Sequence, residues 1–133
     1  MNQQMQAQPA TVLVVDDDPA VRVSLKFSLQ IEGFAVRLYA SGQELLADPD
    51  LPAHGCLVID QRMPDLTGLD VVDRLRARQV ALPAILITTD PNQAVRSRAA
   101  DAGIALIEKP LLSDALLNGI RAAIAKDDRP ATH

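Results

Sequence analysis

Cysteine and aromatic side chains are nearly missing from this chain. Its 133 residues include one cysteine, no tryptophan, one tyrosine and two phenylalanines. A single thiol, Cys56, cannot form an intramolecular disulfide or a thiolate metal cluster. Three scattered aromatics, Phe27, Phe34 and Tyr39, do not make a base-stacking platform. Positive charge is also short: 13 Lys and Arg stand against 17 Asp and Glu, a net charge of −4. A basic stripe of the kind that binds nucleic acid is therefore not expected. No apolar run approaches the roughly 20 residues of a membrane span. The opening MNQQMQAQPA has neither the basic start nor the apolar stretch of a secretory signal. These absences point to a cytoplasmic protein with no nucleic-acid or membrane partner.

What is present is a globular composition, 48% hydrophobic and 23% charged. The length suits one domain with its own core. The expected body runs over 11–126, between flexible tails at 1–10 and 127–133. Five β-branched or aliphatic runs punctuate it, at 12–15, 35–39, 56–59, 84–88 and 104–107. Four are nearly continuous apolar segments, as in parallel strands buried on both faces. The run at 35–39 contains Arg37 and reads as an edge strand. A helix start follows each run. Asp18 and Pro19 supply an N-cap and an N1 proline, and Gly33 a stop. Ser41 and Glu44 have the spacing of a capping box. Thr67 begins a third helix, Asp90 and Pro91 repeat the first pattern before a stop at Gly103, and Ser113 caps the last helix. Cys56 reads as a buried small apolar residue and His54 as a solvated loop residue. Five alternations of strand and helix are the signature of a doubly wound α/β sheet.

The polar groups fall at strand ends. Asp16 and Asp17 follow the first strand, Asp60 follows the third, Thr88 ends the fourth and Lys109 the fifth. In a parallel sheet these ends share one edge, and ligands bind there where strand order reverses. With the order 2-1-3-4-5, Asp16, Asp17 and Asp60 converge. Two carboxylates about 4 Å apart repel by roughly 4 kcal/mol at an effective dielectric of 20. A hard divalent cation offsets that repulsion, and oxygen ligands suit Mg²⁺. Carboxylates, a metal, a hydroxyl and an ammonium together suit phosphoryl transfer. A carboxylate can itself be the nucleophile. No G-x-G-x-x-G follows a strand, which argues against a dinucleotide site.

The segments VVDDDP, CLVIDQRMPDLTG, AILITT and IEKP, in that order, resemble the receiver domain of bacterial two-component response regulators. The likeness spans 12–125. It implies a flavodoxin-like (βα)5 fold, a doubly wound parallel sheet of order 2-1-3-4-5. It implies Asp60 as phosphoacceptor, Asp17 as the principal carboxylate ligand of Mg²⁺, and Asp16 as its neighbour acting through water. The backbone carbonyl of Arg62 matches a further ligand. Thr88 matches the hydroxyl that holds the phosphoryl group, and Lys109 the lysine that pairs with it. Pro110 matches a proline preceded by a cis peptide bond.

The implied donor is a phosphohistidine of a sensor histidine kinase or histidine phosphotransfer protein. The implied output is contact with a downstream protein. Such a domain catalyses its own modification without being a turnover enzyme. With few residues after the last helix, a stand-alone receiver is expected. Two alternatives remain. One is a receiver-like module that binds partners without phosphorylation. The other is an aspartate-nucleophile phosphohydrolase, whose D-x-D-x-T motif neither DDDP nor Asp60-Gln61-Arg62 reproduces.

The first helix carries a second apolar stripe. At about 100° per residue, Val21, Leu25, Ser28 and Leu29 share the side expected to face the sheet. Arg22, Lys26 and Gln30 form a narrow polar stripe. Ala20, Val23, Ser24, Phe27 and Ile31 form the other, apolar where solvent favours charge. The resemblance makes Ala20, Val23, Phe27 and Ile31 the expected contact with the kinase or phosphotransfer helices. Cover by a tail or by the mate in a homodimer is the alternative.

Two features depart from the family pattern or vary within it. Leu106 stands where receivers usually carry an aromatic, so the threonine–aromatic switch is not expected in its usual form. Arg62 and Asp90 stand two residues after Asp60 and Thr88, positions that overlook the phosphoryl group in receivers. Either they form a screening ion pair, or Asp90 caps the fourth helix.

Overall fold

The computed structural model describes residues 9–109, 111 and 114–127. The expected cap Ser113 and the expected cis peptide before Pro110 lie outside the described residues. Ten elements alternate: β1 (Thr11–Val15), α1 (Pro19–Ile31), β2 (Ala35–Tyr39), α2 (Gly42–Leu46), β3 (Cys56–Asp60), α3 (Gly68–Ala77), β4 (Ala84–Thr88), α4 (Gln93–Asp101), β5 (Ala105–Glu108) and α5 (Ala115–Asp127). The five strands pair in parallel in the order β2-β1-β3-β4-β5. This is the flavodoxin-like α/β fold, with the order expected from the sequence. Ala10 already accepts a hydrogen bond from the Ala35 N–H, and α5 runs through Asp127.

Strand alternation divides the core into two layers. Leu13, Val15, Leu57, Ile59 and Leu86 pack with Leu45 of α2, Val72 of α3 and Ala99 of α4. Val12, Val14, Val58, Ile85 and Ile87 pack on the other side with Leu25 and Leu29 of α1 and Leu116 and Ile120 of α5. Both faces of β1, β3 and β4 are thus covered, which is why those strands are apolar nearly throughout.

The helix starts follow their caps, with local differences. Asp18 accepts the Ala20 N–H at 2.9 Å, and Pro19 opens α1. Gly33, at φ +95°, takes the left-handed turn that ends it. Ser41 accepts the Glu44 N–H, but Glu44 reaches back to the Ala40 N–H rather than to that of Ser41. Thr67 accepts the Asp70 N–H at 3.2 Å.

The expectation for α4 is corrected. Asn92, not Asp90, is its N-cap and accepts the Val95 N–H at 2.9 Å. Asp90 has φ +47°, a left-handed conformation incompatible with the extended N-cap geometry. The strand at 104–107 is also corrected. The Ile104 N–H bonds to Ala99 O behind α4, so pairing begins with Ala105 opposite Ile85. β5 is an edge strand, with Ala105 and Glu108 exposed and Leu106 and Ile107 half-buried. On α1, Leu25 and Leu29 are buried and Val21 half-buried, while Ser28 is exposed at the flank of that face. No helix among the described residues is long and apolar enough to cross a membrane.

Candidate functional site

The carboxyl edge of the sheet gathers the acidic residues. Asp16 follows β1 and is fully buried, its N–H donating to Tyr39 O. One carboxylate oxygen accepts the Asp18 N–H at 2.9 Å, and the other lies 3.2 Å from the Lys109 ammonium. Asp60 ends β3, 5% exposed, with Oδ2 3.4 Å from Lys109 Nζ and Oδ1 3.4 Å from the Arg62 N–H. Asp17 is exposed. One carboxylate oxygen from each of Asp16, Asp17 and Asp60 lies within 4.8 Å of the others. Lys109 is set by its backbone, whose N–H donates to Thr88 O at 2.8 Å. Arg22 is drawn out of the expected solvent stripe and donates to Asp16 O at 2.8 Å.

Charge and burial act against each other here. Burial pushes the Asp60 carboxyl up from its ordinary range and the nearby Asp16 pushes it further, while Lys109 and the Arg62 N–H partly offset both. Burial pulls the Lys109 ammonium down, and Asp60 and Asp16 more than reverse it, leaving it raised. Hard oxygen donors held together in this way fit a divalent cation of the Mg²⁺ type. Asp17 has no hydrogen-bond partner among the described residues, and the Arg62 carbonyl accepts no described bond. Both are available beside Asp60.

The loop after β3 holds a residue that sequence reasoning missed. Gln61 is buried. Its N–H donates to Ile87 O, its carbonyl accepts the Gly68 N–H at 3.1 Å, and its side-chain oxygen accepts the Leu69 N–H at 3.0 Å. It folds the loop back onto the strand end. The available signal was a glutamine directly after the apolar run CLVID, where burial is expected on both faces. Gly68 completes the closure: a Cβ there would meet Asp60 O at 2.7 Å.

The remaining expected residues are placed as follows. Thr88 is buried at the end of β4. It shares with Asp17, Gln61, Arg62 and Asn92 a cleft of about 500 Å³. Arg62 and Asp90 are exposed and do not pair. Leu106 packs against the core layer that includes Leu86 and Ala99, with no aromatic at that place. On α1, Ala20 is exposed, and Val23, Phe27 and Ile31 are 51%, 64% and 81% exposed.

A parallel sheet of this order, with a carboxylate cluster and a lysine at the edge where strand order reverses, defines a receiver-like signalling domain. The chain belongs to the response regulator receiver domain family, whose model matches residues 12–121. It is 36% identical over 114 residues to the transcriptional regulatory protein FixJ of Rhizobium meliloti. That match covers 85% of this chain and 56% of the relative, so the chain spans little more than half the relative's length. The crystal structure of FixJ-N superposes with a TM-score of 0.80 at 35% identity, over 95% of this chain and 100% of that one. The response regulator TrrA of Thermotoga maritima, in complex with Mg(2+)-BeF, gives a TM-score of 0.73 at 26% identity over 86% of this chain and 98% of that one.

Proposed function

We propose that this domain is a phosphoacceptor. Asp60 takes a phosphoryl group from a phosphohistidine of a sensor histidine kinase or histidine phosphotransfer protein, with Mg²⁺, in the cytoplasm. The modified domain signals by contact with a downstream protein. The observation that carries this reading is the convergence of Asp16, Asp17 and Asp60 within 4.8 Å beside the Lys109 ammonium. The likeness to TrrA, crystallised with Mg²⁺ and BeF, supports it.

An Asp60 carboxylate oxygen attacks phosphorus in line as the P–N bond of the phosphohistidine breaks. The electron pair of that bond returns to the imidazole, which leaves as the neutral base with its other nitrogen protonated. The nucleophile must be ionised, and Lys109 favours that state against burial and Asp16. Lys109 then pairs with the oxygens of the transferred group, and Thr88 donates its hydroxyl to another. Asp17, Asp60 and the Arg62 carbonyl would hold Mg²⁺ directly. Asp16, with both oxygens engaged by Asp18 and Lys109, would act through water. The bound cation supplies neutralisation of charge on the phosphoryl oxygens. The protein's own contribution is positioning and electrostatics, and one modification per molecule is the product.

The exposed stripe Ala20, Val23, Phe27 and Ile31 is the proposed donor-docking surface. It begins two residues beyond the Asp18 cap, beside the acidic edge. Intact-mass spectrometry after incubation with acetyl phosphate, with and without Mg²⁺, tests the phosphoacceptor reading. One Mg²⁺-dependent phosphoryl adduct is expected on the wild type and none on Asp60→Asn. Absence of an adduct, together with no beryllofluoride-bound form, would favour phosphorylation-independent binding.

A further inference from the structure

Gln61 is a buried polar residue that this mechanism does not use. It is 8% exposed and lines the same cleft as Thr88. Its side-chain oxygen is taken by the Leu69 N–H, while its Nε2 has no partner among the described residues. Buried amide donors left unpaired are costly, and native structures seldom leave them without a use. Register supplies the neighbour. Asp60 pairs with Ile87, so the next residues, Gln61 and Thr88, stand opposite each other across β3 and β4. Ile59 and Leu86, two residues earlier on each strand, lie in the same core layer, so Gln61 and Thr88 share that face. The Thr88 hydroxyl is nearly solvent-free, and its described contact is Thr89 O at 3.5 Å, the outer limit of a hydrogen bond.

We propose that Gln61 is a positioning residue for phosphoryl transfer: once Thr88 turns toward a phosphoryl group on Asp60, the Gln61 Nε2 comes to donate to Thr88 Oγ1 and leaves the hydroxyl hydrogen aimed at the phosphoryl oxygen. The proposal rests on the phosphoacceptor reading above. A hydroxyl has one hydrogen to give and two lone pairs to receive with. An amide donor against a lone pair leaves the hydrogen for the anion, and the two bonds strengthen each other. Leu106, on the same face of β5, offers no polar group for this task. The other end of the Gln61 amide holds the Leu69 N–H, so in the proposed state the hydroxyl is tied to the start of α3.

The test is a double-mutant cycle with acetyl phosphate and Mg²⁺, read as phosphorylation rate by intact mass and as beryllofluoride affinity. Gln61→Met is expected to slow phosphorylation and weaken beryllofluoride binding about three- to tenfold, the factor of one net hydrogen bond. In a Thr88→Ala background the same substitution should keep only the smaller loss that comes from the freed Leu69 N–H. Gln61→Glu keeps the acceptor for Leu69 but lacks the donors. Its carboxylate would also accept the Thr88 hydroxyl hydrogen and draw it from the phosphoryl oxygen. The variant should therefore lose at least the same Thr88-dependent factor, while the charge effect that bypasses Thr88 acts in both backgrounds and cancels in the cycle. If Gln61→Met fails to fold in a thermal melt, the Glu variant carries the test. Equal losses in both backgrounds, full rescue by Gln61→Glu, or a wild-type rate for Gln61→Met would overturn the proposal. A wild type that takes neither phosphoryl nor beryllofluoride would overturn the phosphoacceptor reading instead.

Discussion

The Lys109 ammonium stands 3.4 Å from the Asp60 carboxylate, and it is also the cation that faces buried Asp16. Opposite stability effects are therefore expected at the two ends of one ion pair in metal-free buffer. Lys109→Met leaves two neighbouring carboxylates uncompensated and should cost about 1–3 kcal/mol, less than a fully buried pair because Lys109 is partly exposed. Asp60→Asn removes a charge that burial and Asp16 both oppose and should stabilise by about 1–2 kcal/mol. Denaturant melts with a chelator present measure both. Two losses, or two gains, would contradict this account of the site.

Gly68 tests how tightly the start of α3 is pressed on the nucleophile's strand. In a helix, Gly→Ala ordinarily gains about 1 kcal/mol. Here the added Cβ would lie 2.7 Å from Asp60 O and 2.7 Å from Leu86 Cδ1. Leu86 has room to rotate only within a packed core, and a backbone carbonyl has less. Gly68→Ala should lose about 1–3 kcal/mol net and slow acetyl phosphate labelling, because the displaced carbonyl belongs to Asp60. A stabilised variant with normal labelling would show that the loop yields freely.

The sheet was legible because burial on both faces writes itself as apolar runs such as CLVID and AILIT. The acidic cluster was legible because Asp16, Asp17 and Asp60 fall at strand ends. What escaped depends on side-chain direction. Arg22 lay on a polar helical stripe by angle alone, yet its length lets it curl back to Asp16 O. Asp90 before Pro91 has the composition of a cap, but its left-handed backbone moves the cap to Asn92. Gln61 drew no reading beyond its place after Asp60, and only the β3–β4 register sets it beside Thr88. The Arg22 contact and the shifted cap cannot be read from residue type or period, and the place of Gln61 after CLVID signals its burial but not its neighbour.

Tyr39 and Asp48 predict the pH dependence outside the site. The Tyr39 hydroxyl donates to the Asp48 carboxylate, which Arg37 also approaches at 3.5 Å. The Tyr39 hydrogen bond, with that from the Asp50 N–H, holds the Asp48 carboxyl below its ordinary range. Its stabilising contribution is thus present above the unfolded carboxylate pKa and fades as pH falls through the lowered folded value. Burial, and then Asp48, push the Tyr39 phenol up. That contribution is present below the unfolded phenol pKa and fades as pH rises through the raised one. Tyr39→Phe should lower the melting temperature near neutrality and flatten both flanks of the stability–pH profile. A parallel downward shift at every pH would mean that the hydroxyl contributes no ionisation-linked stability.

Phe27 separates docking from chemistry. It is 64% exposed on α1, between Val23 and Ile31, while Leu25 and Leu29 carry the helix's buried contact. Phe27→Asp therefore removes little from the core, and stability should stay within about 0.5 kcal/mol. The acidic site is untouched, so labelling by acetyl phosphate should keep its rate. Transfer from a phosphohistidine protein must bring a whole surface against α1, and an aspartate at the centre of the apolar stripe would be desolvated there without a partner. A central aromatic contact is typically worth 2 kcal/mol or more, so that transfer should slow about thirtyfold or more. The ratio of the two rates is the quantity to measure, with the cognate kinase or phosphotransfer protein as one donor and acetyl phosphate as the other. Equal slowing with both donors would place the effect of Phe27 on the phosphorylation site itself and remove the docking surface from α1.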